Sequence, residues 1–391
     1  MMTERPSSPE SEAADLELSI VIPCLDEAET LAFCVEKALG ALSRLGIAGE
    51  VVVADNGSTD DSRGIAERLG ARVVPVAQRG YGAALAEGFR RARGRFLIMG
   101  DADDSYDFSE IDGFVRELRQ GADLVMGTRL RGAIDPGAMP FLHRYLGTPV
   151  LTKLINVCFR TRISDCNCGM RGLRKDAFLK LDLRSTGMEF ASEMVLKAAL
   201  CGIRIVEIPI RFHKDRRSRP PHLRTWRDGW RHLRFILLFA PNYLFLLPGG
   251  AMFAIGLLLL LTQVNGPLDL GFVRLDYHVM FLGSTMAIAG YQLVTFGVFA
   301  KIFSHVEEFH RQSRLNRLFN VFRLETGLLL GAALALVGLG FDVAIVVRWA
   351  RNGFRGIEET RTALFGLTML VLGIQTIFSS FLYSLLGIAR R

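Results

Sequence analysis

From about residue 234 onward the chain is largely apolar, in four blocks near 242–263, 279–303, 326–347 and 363–387. At a rise of about 1.5 Å per residue, each block is long enough as a helix to cross a hydrocarbon core of roughly 30 Å. Backbone polar groups meet no water there, so an open chain segment has little choice but the helix. Residues 242–391 are therefore expected to form a four-helix transmembrane domain, and the rest of the chain must fold in water. Four crossings return both flanks of that domain to one side. Lys301, Arg311, Arg314, Arg317, Arg323, Arg390 and Arg391 all fall on that side, which the positive-inside rule assigns to the cytosol. The opposite loop, Arg348 to Arg361, is also basic and pulls against that assignment. Asp342 is the one acid well inside a span; it suits contact with a neighbouring helix or a place near the outer interface.

The first 17 residues are polar, acidic and rich in Ser and Pro, and are expected to be a disordered tail, not a signal peptide. The formal net charge is +7, and much of the positive excess lies between Arg204 and Arg234, just before the apolar half. A basic cluster so placed suits anionic lipid or a phosphate ligand. No nucleic-acid-binding module is present, so DNA and RNA are not expected partners. The six cysteines form no Cys-x-x-Cys pair and read as reduced thiols of a cytosolic domain.

Between residues 18 and 221 short apolar runs alternate with helical patterns. Strands are predicted at Leu18–Ile22 (ended by Pro23), Glu50–Ala54, Arg72–Val76, Arg95–Gly100 and Asp123–Gly127, with a helix over CLDEAETLAFCVEKAL that uses Leu31, Val35, Ala38 and Leu39. That alternation points to a doubly wound α/β fold with a parallel sheet. Strand ends then bring Asp26 and Glu27, Asp55, and Asp101 and Asp103 to one edge, where open α/β sheets bind ligands. The first turn, PCLDEAE, lacks glycine, which argues against a dinucleotide-dependent dehydrogenase. In RFLIMGDADDSYDF, Asp101, Asp103 and Asp104 repel one another. Taken alone, the segment fits equally a divalent cation that holds a diphosphate and a polar loop in which Asp104 or Ser105 caps the helix starting near Phe108. Asp55 alone fits a helix cap as well as a ligand contact.

In order along the chain, SIVIPCLDEAETL, VVVADNGSTDDS, RGYGAAL and IMGDADDS resemble the family 2 glycosyltransferases of GT-A fold, and more narrowly the polyprenyl-phosphate sugar transferases. The resemblance covers about Leu18 to Arg234. It implies that Pro23 and Glu27 flank the nucleobase and that Asp55 holds the nucleotide. It also implies that Asp101 and Asp103 serve a Mg²⁺ or Mn²⁺ ion and the sugar diphosphate. Asp26, Gly80 and Ala102 lie in the matched motifs and are counted with the nucleotide-sugar site. Ser105 stands where some relatives carry a metal-binding Gln and is counted with the metal; Asp104 replaces a usual apolar residue. Arg129 and Arg144 resemble the arginines that hold the lipid phosphate, a task that suits paired guanidinium donors. In DCNCGMRGLRKDAF, Asp165 and Arg171 match family positions and either line the cleft or form an internal salt bridge. Glu189 and Glu193 share one helix face.

Lys214, Arg216, Arg217 and Arg219 form a basic loop, expected to assist in holding the lipid phosphate. Residues 222–241 are expected to form an amphipathic interfacial helix, with Leu223, Trp226, Trp230, Leu233 and Leu237 on one side; an ordinary helix packed on the sheet is the alternative. The whole implies an inverting transferase on the cytosolic face of the cytoplasmic membrane. It would move a hexose from a nucleotide diphosphate sugar to a polyprenyl (undecaprenyl or dolichyl) phosphate, with Asp101, Asp103 and Arg129 at the reacting centre. Membrane lipid is a further partner, and assembly into a homo-oligomer is compatible with the sequence. The rivals are transfer to another membrane lipid and a catalytically inactive scaffold or flipping partner. A processive polysaccharide synthase is disfavoured because Gln-x-x-Arg-Trp is missing.

Overall fold

The computed structural model describes residues 16–218, 225–306 and 324–388, and the chain divides into two units, Met1–Ile236 and Leu237–Arg391. The tail before residue 16, Arg219, Leu223, the arginines at 311, 314, 317 and 323, and Arg390 and Arg391 lie outside the described residues.

The first unit is built on seven strands: β1 (Leu18–Cys24), β2 (Gly49–Asp55), β3 (Arg72–Pro75), β4 (Phe96–Met99), β5 (Leu124–Ile134), β6 (Arg171–Arg174) and β7 (Ile205–Phe212). Their order across the sheet is β3-β2-β1-β4-β6-β5-β7. The α/β class is as expected, but the sheet is mixed: β6 runs antiparallel to both β4 and β5, while the other pairs are parallel. Arg-Gly-Leu-Arg has no apolar alternation to announce a strand. Its fixing point is polar instead: Arg171 is wholly buried and donates to the carbonyls of Cys166, Cys168 and Ala191 at 2.8, 2.9 and 2.5 Å.

β1, β2 and β4 read as continuous apolar runs because helices cover both faces. Ile20, Val21, Ile22, Val52, Val53, Leu97 and Ile98 are all fully buried. Each such side chain contributes about 1.5–3 kcal/mol of burial, which fixes which strands sit at the centre. β1 runs through Pro23 to Cys24, two residues beyond the expected end. Its pairing with β4 stops at Val21, so Pro23 has no β4 residue opposite it that would need its missing N–H. α1 (Leu31–Arg44) buries Leu31, Cys34, Val35, Ala38, Ala41 and Leu42, a stripe of helical period. The remaining helices are α2 (Ser62–Arg68), α3 (Tyr81–Arg91), α4 (Asp112–Arg119), α5 (Thr148–Phe159), α6 (Lys175–Leu181), α7 (Phe190–Cys201) and α8 (Thr225–Leu238).

α8 packs through Asp228, His232 and Ile236, one residue per turn, and Ser192 Oγ lies 2.7 Å from His232 Nδ1. That is not the face its apolar pattern singled out. Trp226 and Trp230 are 81% and 60% exposed.

Among the described residues the second unit holds four helices long and apolar enough to cross a membrane: α9 (Leu247–Leu261, entered through a π turn at Asn242–Leu246), α10 (Tyr277–Val306), α11 (Leu324–Arg351) and α12 (Thr360–Ile388). They form two tight pairs, α9 with α10 and α11 with α12. A Cβ added to Gly290 would stand 2.7 Å from the Gly249 carbonyl oxygen, and one added to Gly373 would stand 2.7 Å from that of Gly331. Seven residues along, Gly256 meets Gly283 and Gly338 meets Gly366 in the same way. Close backbone approach through small residues is how apolar helices gain packing energy in lipid. Asp342 faces the neighbouring helix, at the space Gly366 leaves open. In the loop that looked basic, Arg348 pairs with Glu359 at 2.6 Å and Arg361 pairs with Asp276, so part of that charge is balanced.

Candidate active site

β2, β1 and β4 are adjacent and parallel, so their carboxyl ends open on one edge. Chain direction reverses its spread between β1 and β4, which is where such sheets form a crevice. The acids after these three strands meet there. Asp55 is buried at the end of β2. Burial pushes its carboxyl up, but hydrogen bonds from Ser58, Arg63 and Gly57 more than offset this and hold it below the usual carboxylate value. It does not cap α2; it shapes the turn that follows β2. Asp26, at φ 55°, reaches across to the same turn and accepts from the Thr59 N–H and hydroxyl at 2.6 and 3.0 Å.

Asp101 follows β4. Its Oδ1 accepts from the Tyr81 hydroxyl at 2.9 Å. Burial, reinforced by the neighbouring Asp103 charge, pushes the Asp101 carboxyl up to about 6. Tyr81 is placed by Gly80, whose φ of 137° suits glycine alone and whose position leaves no room for a side chain beside the Thr186 carbonyl. Gly80 N donates to Asn56 Oδ1 at 2.6 Å, tying this turn to the end of β2. Ala102 is buried, and its carbonyl accepts from Thr30 Oγ1 at 2.6 Å. Asp103 Oδ1 accepts from the Ser105 N–H at 3.0 Å. Ser105 is buried and its carbonyl accepts from His213 N at 2.9 Å.

The loop after β7 folds back onto these acids. Arg217 grips Glu27 in a fork at 2.9 and 2.6 Å and lies 3.2 Å from Asp103 Oδ2. Arg216 pairs with Asp104 at 2.7 Å, as does Lys37, and stacks over Phe33. Lys214 is exposed and makes no ion pair among the described residues. Asp104, at φ 61° and buried, is thus an ion-pair anchor. Neither it nor Ser105 caps the following turn; Asp107 does, accepting from Ser109 N at 2.9 Å.

Arg129 and Asp165 form a buried, two-pronged ion pair at 2.8 and 2.9 Å, and the Arg129 N–H also donates to Asp165. Phe212 lies under the guanidinium at 5.2 Å. Nη1 has no hydrogen-bond partner among the described residues, and the charge is near enough to act on Asp101 and His143. Arg144 sits apart, exposed on a π turn (His143–Gly147) over Tyr145, with Phe141 and Tyr145 themselves 77% and 60% exposed. Glu193 pairs with Lys197 and caps the Arg184 and Ser185 N–H groups, a structural task. Glu189 Oε2 is buried without a hydrogen-bond partner.

Among the described residues no three His, Cys, Asp or Glu side chains gather to hold a metal ion. Asp101 and Asp103 nevertheless fit a hard divalent cation of the Mg²⁺ type, which takes one or two carboxylates and leaves its other positions to phosphate oxygens and water. Asp101 Oδ2 faces Gly169, where an added Cβ would stand 3.0 Å away.

Residues 19–182 match the profile described as Glycosyl transferase family 2, and residues 298–387 match the Glycosyltransferase family 2 C-terminal transmembrane region. The chain is 38% identical to the low-salt glycan biosynthesis hexosyltransferase Agl6 of Haloferax volcanii, over 95% of this chain and 89% of that protein. The chain belongs to glycosyltransferase family 2. This family 2 glycosyltransferase is also similar to the dolichyl-phosphate hexose transferase of Haloferax volcanii, 27% identical over 46% of this chain and 78% of that one. Among solved structures it is similar to glucosyl-3-phosphoglycerate synthase of Mycobacterium tuberculosis, with a TM-score of 0.45 and 20% identity over 57% of this chain and 80% of that one. With its transmembrane region and four apolar helices, the glycosyltransferase is a membrane protein.

Sequence reading missed three parts of this site. Tyr81 on Asp101 was signalled by the Gly-Tyr-Gly of the turn. Arg63 on Asp55 had no signal. Arg217 on Glu27 had none either, since 190 residues separate the partners.

Proposed function

We propose that this glycosyltransferase moves a hexose from a nucleotide diphosphate sugar, of the GDP-mannose or UDP-glucose type, to a polyprenyl phosphate, with inversion. The donor nucleotide lies along the edge formed by Pro23, Asp26, Glu27, Asp55 and Gly80, with the diphosphate toward Asp101, Ala102 and Asp103. The observation that carries this reading is the convergence of Asp26, Asp55, and Asp101 with Asp103 from three parallel strand ends, those of β1, β2 and β4. Asp101 and Asp103 would hold Mg²⁺ or Mn²⁺, with Ser105 nearby; bound there, the cation offsets charge growing on the leaving diphosphate.

An oxygen of the acceptor phosphate attacks the anomeric carbon. The new carbon–oxygen bond forms as the bond to the diphosphate breaks, and the electron pair leaves with the nucleotide. A phosphate monoester has a second pKa of about 6, so the nucleophile is largely ionised at neutral pH and no general base is required. Arg129 contributes the acceptor contact: its fork is locked by Asp165, which presents Nη1 in a fixed direction. Arg144, among exposed aromatic side chains, is the outer contact for the same phosphate. Arg216 and Arg217 rest on acids in this state. A cation-bound diphosphate arriving at Asp103 would free Arg217 for phosphate oxygens, with Lys214 beside it.

We place the first unit on the cytosolic face of the cytoplasmic membrane, with α8 an interfacial helix. The exposed Trp226 and Trp230 support this. Leu16 and Glu17, expected at the end of the tail, instead join the sheet, Glu17 also gripped by Arg119 at 2.7 and 2.8 Å. An alcohol acceptor would need a base; Asp165 is spent on Arg129, which leaves Glu189. The test is a panel of radiolabelled nucleotide sugars with polyprenyl phosphate or diacylglycerol, scored for label in the lipid phase. Label must enter polyprenyl phosphate and must survive Glu189→Gln. Label in diacylglycerol alone, lost with Glu189→Gln, overturns the reading.

A further inference from the structure

α10 and α12 lie against one another in the membrane unit, and among the described residues four side-chain hydrogen bonds cross their seam. Ser284 Oγ meets Thr368 Oγ1 at 2.7 Å, and the Tyr291 hydroxyl meets Thr376 Oγ1 at 2.7 Å. Gln375 Nε2 donates to Gln292 Oε1 at 2.8 Å, and the Tyr383 hydroxyl donates to the Thr295 carbonyl at 3.1 Å. The threonines are buried, and they also donate back into their own helix, Thr368 to Leu364 and Thr376 to Leu372. Those rungs are complete within one chain.

The glutamine rung is not. Gln292 is exposed on the surface of the unit, at the midpoint of α10, and Gln375 stands at the midpoint of α12. Both helices are long and apolar enough to cross a membrane, so this surface lies at mid-depth of the hydrocarbon. A primary amide has two N–H donors and a carbonyl with two lone pairs. The single bond between the pair leaves the Gln292 NH₂ group without a hydrogen-bond partner among the described residues. Lipid tails supply no acceptor, and an amide facing them is expensive unless another helix answers it. Around the pair the surface is apolar: Phe296, Ile374 and Phe378 are exposed.

We propose that a second copy of this chain docks on the α10–α12 face, with the two Gln292 amides bonded to each other across the contact; Gln375 Oε1 is buried within its own chain and takes no part. The amide carries donor and acceptor in the same group, so a two-fold axis beside Gln292 brings each N–H to the other copy's Oε1. A second copy therefore completes the bonds of Gln292 with no further residue type required. Phe296, Ile374 and Phe378 then pack as the apolar rim around the polar centre. The proposal does not depend on the donor or acceptor assigned above.

The experiment uses the full chain, labelled at its amino terminus with donor or acceptor dye and reconstituted in phosphatidylcholine liposomes over a range of protein-to-lipid ratios. The wild type should show energy transfer that rises with density as a monomer–dimer equilibrium. The double substitution Gln292→Leu, Gln375→Leu should weaken association by about tenfold, the scale of one to two interhelical hydrogen bonds in a membrane. Leucine is at home in lipid, and an unchanged thermal melt verifies that the variant folds. Phe378→Ala keeps both amides and should weaken association to a smaller degree. Leu329→Ala, on an exposed face of α11, should change nothing. A wild type that stays monomeric at every density overturns the proposal. So does a double variant that associates as tightly as wild type, or a Leu329 variant that weakens association as much as the double variant does.

Discussion

At the scale of single residues, Arg129 and Asp165 are the most informative pair. Both are buried, and the carboxylate takes the Arg129 side chain in two prongs together with its backbone N–H. Removing one partner strands the other charge, at a cost of about 3–5 kcal/mol. Asp165→Ala should therefore lower the unfolding free energy of the first unit by that amount. Arg129→Lys should fold better than Asp165→Ala but raise the acceptor KM, because an ammonium cannot hold the fork and present a second edge. Both follow from denaturation curves and steady-state kinetics on the purified chain. Asp101, Asp103 and Asp55 were legible in the sequence because each follows a buried apolar run, and the end of a strand is where the chain must turn at the ligand edge. The pairing of Arg217 with Glu27 was not legible. It depends on the loop after β7 returning to β1, and nothing local in HKDRRS encodes a partner in LDEAE.

At the scale of elements, polarity hid what apolar period reveals. β6 escaped notice because its anchor is a buried arginine on three carbonyls, not a run of branched side chains. α8 showed its tryptophans but not its packed face, since Asp228 and His232 read as surface residues until they are seen buried. Burial depresses His232 below its ordinary 6.5, although the nearby Glu189 and Asp228 charges work the other way and Arg171 works with it. A folded value below the unfolded one means the contribution to stability is present above pH 6.5 and is lost as pH falls through the folded value. His232→Asn should thus flatten the fall of Tm between about pH 7 and about pH 5 relative to wild type. In the membrane unit the glycines set helix separation. Gly290→Ile should drive α10 away from Gly249 and cost about 1–3 kcal/mol as overpacking, read as a lower Tm in detergent.

At the scale of the whole molecule, the division into a water-soluble half and a membrane half was plain from hydropathy alone. The four spans fell within a few residues of the helices observed. The direction of β6 and the pairing of the four helices into two glycine-seamed couples were not plain. Both depend on contacts between segments far apart in the chain, which no local period records. The central claim is that acids from parallel strand ends hold a cation-bound nucleotide sugar for attack by a lipid phosphate. The most direct test is transfer of labelled hexose into polyprenyl phosphate by wild type and Asp103→Asn, each with Mg²⁺ or Mn²⁺ and again with chelator. The account predicts transfer by the wild type with cation, loss of that transfer with chelator, and a fall of about a hundredfold or more in Asp103→Asn, the scale of one lost electrostatic contact at a reacting centre. Transfer by Asp103→Asn at the wild-type rate in the presence of chelator would contradict it.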